Sequence, residues 1–207
     1  MAANAELIDE LRLSWSRMLP LHPMLGESIL TRLSDSRRAF HDAHHLRQCL
    51  RALEELGGTD RAEYLALWYH NVVTTGTRGH HEQASAAVAA TELLGAGFPW
   101  IEVGLVARLV LVTADHHPRP EVPGSERICD ADLSGLALPF PTVEEAFVQR
   151  AAEMTELTDA EREERLRDWI EGMLEAERIF HTGYGAENWE QPARENLTAL
   201  LRRPAFV

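Results

Sequence analysis

The chain is predicted to be all-α, on three observations. Apolar residues recur at helical spacing in almost every segment. Caps, glycines and prolines punctuate those segments, and no strand pattern of useful length occurs. The first helix is expected over residues 5–19, where Leu7, Ile8, Leu11, Trp15 and Met18 recur before Pro20. A second is expected over 23–33, closed by the polar run Ser34-Asp35-Ser36. A third runs from about residue 40 to residue 56 and stops at Gly57-Gly58. Asp60 caps the next, whose Tyr64, Leu65, Leu67, Trp68 and Tyr69 lead into His70-Asn71. The β-branched Val72-Val73-Thr74 then breaks it just after Asn71. A loop carrying Gly76 and Gly79 precedes an alanine-rich helix opened by His80-His81-Glu82 and running to about residue 94.

Gly95, Gly97 and Pro99 separate that helix from a central apolar one, which ends at Thr113-Ala114-Asp115-His116. Pro118, Pro120 and Pro123 mark a loop. Further helices are expected over about 127–136, 146–154, 158–180 and 189–201. Thr158 and Glu161 form a capping box at the start of the third of these. Arg178, Glu190 and Arg194 are expected to form a buried ion-pair set that ties the last two helices to the core. With no internal repeat, the 207 residues are read as a single domain, 1–207, in which N-terminal helices (5–34) and C-terminal helices (141–202) pack on the core.

The formal charge of −13 argues against a nucleic-acid polymer or an anionic membrane as partner, since neither would be attracted. The longest apolar stretch, residues 103–114, is broken by Arg108 and is too short to span a bilayer. Two cysteines, Cys49 and Cys129, give no disulfide framework and fit a reducing compartment. The N-terminus lacks the marks of a signal peptide, so a cytoplasmic location is expected.

The densest chemistry lies in Arg38-Ala39-Phe40-His41-Asp42-Ala43-His44-His45. On a helix His41, His45, Cys49, Ala52 and Leu56 share the side that faces the core, whereas His44 falls with Gln48, Arg51 and Glu55 on a solvated face. Inward imidazoles need a partner: a metal, a substrate phosphate, a carboxylate, or simply core hydrogen bonds. His70 ends another helix, His116 a third, and Asp130 and Asp132 lie on a fourth. Converging helix ends are how bundles build metal sites from distant sequence. The mixed nitrogen and carboxylate donors suit a divalent ion, without separating Mg, Mn, Fe, Ni and Zn. His80, His81 and His117 are read as solvated, and Arg38 either as a two-pronged phosphate holder or as half of a surface ion pair.

These runs resemble the HD superfamily of metal-dependent phosphohydrolases. The family's Arg-x-Tyr-His-Asn-x-x-His reads here Arg38 to His45, and its Trp-Phe-His-Asp reads Trp68-Tyr69-His70-Asn71. Its Asn-Glu-x-x-Ser-Ala reads His81 to Ala86, and its Thr-x-x-His reads Thr113 to His116. Asp-Ala-Asp-Leu stands intact from Asp130 to Leu133, as does Glu-x-x-Ala-Arg-x-Asn-Leu from Glu190 to Leu197. The resemblance spans about residues 15–201, and its core is also similar to cyclic-nucleotide phosphodiesterases.

The resemblance implies an HD-like helical bundle that hydrolyses a small phosphate ester, a nucleotide among the candidates. By it His41 is the general acid, and His45, His70 and Asp132 are metal ligands. Asn71 stands at the ligand position where the family has Asp. Asp130 orients a neighbour or water, Glu82 is a base or ligand, and His116 is a ligand at a second site. Asn71 is the departure, because a neutral amide leaves the site one negative charge short. The alternative is therefore an HD-fold protein with a degraded metal site, acting as a ligand-binding or interaction module. An iron-dependent HD oxygenase, using His116 and His81 as extra ligands, is a third reading.

The helical phase yields a direct test. His45→Ala is expected to abolish metal binding and His44→Ala to leave it unchanged, read as bound metal per chain after gel filtration. Equal losses would mean that the phase is wrong.

Overall fold

The structure is a computed structural model that describes residues 2–74 and 80–206. Among those residues every regular element is helical: α1 (Ala2–Met18), α2 (Pro23–Leu33), α3 (Ala43–Glu55), α4 (Arg61–Tyr69), α5 (His80–Gly95) and α6 (Trp100–Leu111), then α7 (Ser125–Leu133), α8 (Phe140–Glu153), α9 (Asp159–Glu175), α10 (Gly183–Asn188) and α11 (Glu190–Leu201). The glycine loop expected around Gly76 and Gly79 lies outside the described residues.

Local chemistry sets the boundaries. Asp42 caps α3 by accepting from the backbone N–H groups of His44 (2.8 Å) and His45 (3.2 Å), so the helix begins at Ala43 and not near residue 40. His41 therefore lies before the helix. α7 starts two residues earlier than expected and gives way to a 3-10 turn, Ser134–Ala137. α8 starts at Phe140, because Pro141 fits its first turn, where no intrahelical N–H is needed. The capping box at Thr158 and Glu161 is formed, but α9 stops at Glu175. The short α10, capped by Thr182, was not expected from the sequence.

Two apolar clusters make the interior. The first runs from Leu7 to Ala131 through α1–α7; the second joins Leu133, Leu136, Phe147, Ile170, Phe180 and Leu197 across the C-terminal helices. Trp189 packs against both. The Trp15 ring meets Trp68 edge-on, with centroids 4.9 Å apart, and its Nε1 donates to the His22 carbonyl (2.9 Å), which fixes α1 and the start of α2 against α4. α3 packs along α7, and α4 and α5 along α6. The apolar faces thereby bring the C-terminal end of α4, the first turn of α3 and the last turn of α7 to one place.

The C-terminal cluster is tied on by buried polar groups. Asn196 Nδ2 donates to the carbonyls of Leu136 and Leu138 (both 2.8 Å), holding the 3-10 turn just past Asp132. Glu190 accepts from the N–H groups of Ile179 and Phe180, while Arg194 pairs with Glu190 (2.7 Å) and donates to the carbonyls of Leu174 and Ala176. Arg178, expected in this set, is exposed and takes no part. Asp130 is fully buried and accepts from the N–H of His181 (2.8 Å), the N–H of Thr182 (2.8 Å) and the Thr182 hydroxyl (2.7 Å). It anchors the approach to α10 and does not serve the neighbouring histidines, a correction to the role the resemblance implied.

Asp130→Ala would strand the two N–H groups of His181 and Thr182 in a dry site, at a cost of roughly 1–3 kcal/mol for each unsatisfied group. Urea denaturation is expected to show a total loss of at least about 2 kcal/mol; a loss under about 0.5 kcal/mol would mean that water replaces the carboxylate without penalty.

Candidate metal centre

Asp132, at the last turn of α7, faces three imidazoles. His45 Nε2 lies 3.0 Å and His70 Nε2 3.3 Å from its Oδ1, and His116 Nε2 lies 2.9 Å from its Oδ2. The two Nε2 atoms of His45 and His70 are 3.2 Å apart. Cys49, one turn along α3 from His45, brings its Sγ to 3.5 Å from His45 Nε2 and 3.9 Å from Asp132 Oδ1. One donor atom from each of His45, Cys49, His70 and Asp132 lies within 4.8 Å of the others, and this buried cluster can hold a metal ion.

Its hydrogen bonds prepare it for one. His70 Nδ1 lies 2.6 Å from the Leu67 carbonyl, which can only accept, so the proton of neutral His70 sits on Nδ1 and the Nε2 lone pair points into the cluster. Burial alone would favour neutral groups. The charge of Asp132 nevertheless raises His70 above the ordinary histidine range, and the surrounding imidazoles hold Asp132 well below the usual carboxylate range. Two polar atoms of neighbouring residues are unsatisfied: among the described residues, the buried His116 Nδ1 and Glu82 Oε2 have no hydrogen-bond partner. His116 is also the one non-glycine described residue with positive φ (54°), a strained conformation of the kind that gathers at functional sites.

His45 and Asp132 line a cavity of about 1020 Å³ whose wall also includes His41, Asn71, His81, Glu82, Arg150 and Arg165. His41 reaches it from the loop before α3. Glu153, at the end of α8, holds that loop: its Oε1 accepts from the N–H groups of Ala39, Phe40 and His41 (2.8–2.9 Å), and its Oε2 lies 2.5 Å from His41 Nδ1. This leaves His41 Nε2 as the free ring nitrogen. Burial pulls His41 down to about 4, against the opposing pull of Glu153. Burial would raise Glu153, but His41 and the backbone N–H groups bring it down to about 2.

Several expectations need correcting. Arg38 lines the cavity and forms no surface ion pair among the described residues. Its guanidinium donates to the carbonyls of His41 (2.9 Å), Asn71 (2.7 Å) and Val72 (3.0 Å), clasping the loop before α3 to the turn after α4. His81 is not solvated, since it is half-buried in the cavity wall, and burial pulls it down. His44 is exposed, as its helical phase required. Asn71 lines the cavity beside His70, with its carbonyl taken by Arg38. Glu153 and Cys49 were missed as site residues. Glu153 has no local signature, whereas Cys49 was visible on the face of His45 but read as an apolar core residue.

No family model, curated protein or solved structure matches this chain.

The His41–Glu153 pair gives a pH prediction. A lowered histidine makes the fold resist protonation, so stability falls as pH drops from 6.5 towards 4. A lowered carboxylate stabilises above 4.5, and that contribution is lost as pH falls from there towards 2. Both slopes have the same sign, up to about 1.4 kcal/mol per pH unit for each proton of difference. In metal-free protein the wild-type urea midpoint is expected to drop between pH 6.5 and 4, and the double variant His41→Gln, Glu153→Gln to drop less. Parallel profiles would show that the pair does not titrate as placed.

Proposed function

We propose that this chain is an HD-type, metal-dependent phosphohydrolase of the cytoplasm that acts on a small phosphate ester. One observation carries the reading: His45, His70 and Asp132, distant in sequence, bring donor atoms to 3.0–3.3 Å of one another beside a cavity that His41 also lines. These are the residues that the HD resemblance singles out, and the all-α fold is the class it requires.

The chain's own groups suit the reaction. His45, His70 and Asp132 would hold a divalent ion, with Glu82 and His116 beside them. Such an ion supplies a water of lowered pKa and neutralises charge on a phosphoryl group. Arg150 and Arg165 place positive charge on the wall of a cavity in a chain whose net charge is −13. Arg150 is stacked over Phe40 (5.2 Å) and Trp169 (4.8 Å), which fixes its direction. His41, turned by Glu153, is oriented to give a proton from Nε2 to a leaving oxygen. An anionic substrate adds negative charge beside His41 and so raises it towards the range where it can act as an acid.

Asn71 favours a second reading. With a neutral amide in the cavity wall, the protein would bind its ligand without turning it over, as a binding module. The two readings separate on metal-loaded protein assayed against phosphomonoesters, phosphodiesters and nucleotides. Asp132→Ala is expected to lose both metal and turnover. His41→Ala should keep its metal and lose turnover by roughly 10²–10⁴-fold. Full activity in His41→Ala would remove the acid role. Metal binding with no turnover of any ester would leave the binding module.

A further inference from the structure

The donor set contains one residue that the phosphohydrolase reading does not use. Cys49 is fully buried and does not line the cavity, whose wall includes His45 and Asp132. Its Sγ is 3.5 Å from His45 Nε2 and 3.9 Å from Asp132 Oδ1. A tetrahedral ion with bonds of about 2.0–2.3 Å holds its nitrogen, oxygen and sulfur donors roughly 3.3–3.6 Å apart. The spacings here, 3.0 and 3.3 Å between nitrogen and oxygen, 3.2 Å between nitrogens, and 3.5 and 3.9 Å from sulfur to His45 and Asp132, bracket that range, and all four donors lie within 4.8 Å of one another. An apolar core cysteine needs no such convergence with three charged or chargeable donors.

Charge points the same way. With Asn71 neutral, Asp132 is the single formal negative charge among His45, His70, Asn71 and Asp132, so a divalent ion held by them alone keeps one positive charge, with the Glu82 carboxylate beside it in the cavity wall. Burying uncompensated charge is costly. A thiolate at Cys49 makes the set neutral, supplying the charge that Asn71 does not.

Building on the metal-centre reading above, we infer that Cys49 ligates the ion as a thiolate and makes the centre selective for a thiophilic metal of the zinc type over magnesium. Ligation by a cysteine thiol breaks its S–H bond, forms a metal–sulfur bond and releases one proton to the buffer for each ion bound. Because Cys49 does not line the cavity, the cavity side remains the direction from which a water or substrate oxygen can reach the ion as a fifth donor. Magnesium, which prefers oxygen donors in octahedral array and keeps several waters, gains nothing from such a set.

Cobalt(II) titration of the full-length, metal-stripped chain tests this. Wild type and Cys129→Ser, in which the other buried cysteine is replaced, are expected to show an intense near-ultraviolet thiolate-to-cobalt charge-transfer band. Cys49→Ser should keep the weak visible cobalt bands, lose the charge-transfer band and bind zinc about a hundredfold or more weakly. Magnesium should compete with cobalt in none of them. Cobalt bound by the wild type without a charge-transfer band would overturn the thiolate while leaving the metal centre standing. A band that survives in Cys49→Ser but vanishes in Cys129→Ser would overturn it as well. No cobalt binding by the wild type would remove the metal centre itself. Should Cys49→Ser fail to fold, the wild-type spectrum with that of Cys129→Ser still decides.

Discussion

The arrangement turns on one buried carboxylate facing three imidazoles. Asp132 faces His45 and His70 with one oxygen and His116 with the other. These four residues come from α3, the end of α4, the turn after α6 and the last turn of α7, so the carboxylate links the termini of most of the N-terminal cluster. Isolated, it would be among the most costly groups to bury in the molecule. Its surroundings repay that cost, and the helices that carry its partners are held at fixed separation as a result.

Around that point, polar side chains do positioning work that the apolar cores cannot. Arg38 closes three carbonyls at a place where the chain leaves one helix and approaches another. Ser85 both accepts from the Val73 N–H and donates to its carbonyl, holding the far side of the same turn. Glu153 gathers three consecutive N–H groups and an imidazole. Each pins irregular backbone next to the cavity, where helix hydrogen bonds are lacking and loose loops would blur the geometry.

Much of this was legible in the residues. The helical periodicity, the caps at Asp60 and Thr158 and the stop at Gly57 located most helices, and the solvated phase of His44 separated it from His45. The convergence of His45, His70, His116 and Asp132 followed from where histidines and aspartates sit relative to helix ends. Other features depended on competition or distance. Periodicity places His41 on the helix, but Asp42 is a strong N-cap and starts the helix only at Ala43. Several motif positions serve structure: Asp42 caps, Ser85 and Asn196 hold loops, and Asp130 anchors α10. The three backbone carbonyls that Arg38 clasps leave no trace in sequence. Glu153 lies 112 residues from the imidazole it orients, and only the packing of α8 brings them together.

That last distance has a consequence for how the molecule tolerates damage. The donors that could hold an ion lie between residues 45 and 132 and belong to helices of the N-terminal cluster, whereas the carboxylate that aims His41 belongs to the C-terminal one. Under the function proposed above, capture of an ion and aim of the proton donor thus draw on two bodies of packing. On that proposal, lesions in the packing of α8, α9 or α11 would leave a protein that still fills with metal yet has lost the alignment of His41. Such a form would pass for intact by any assay of metal content.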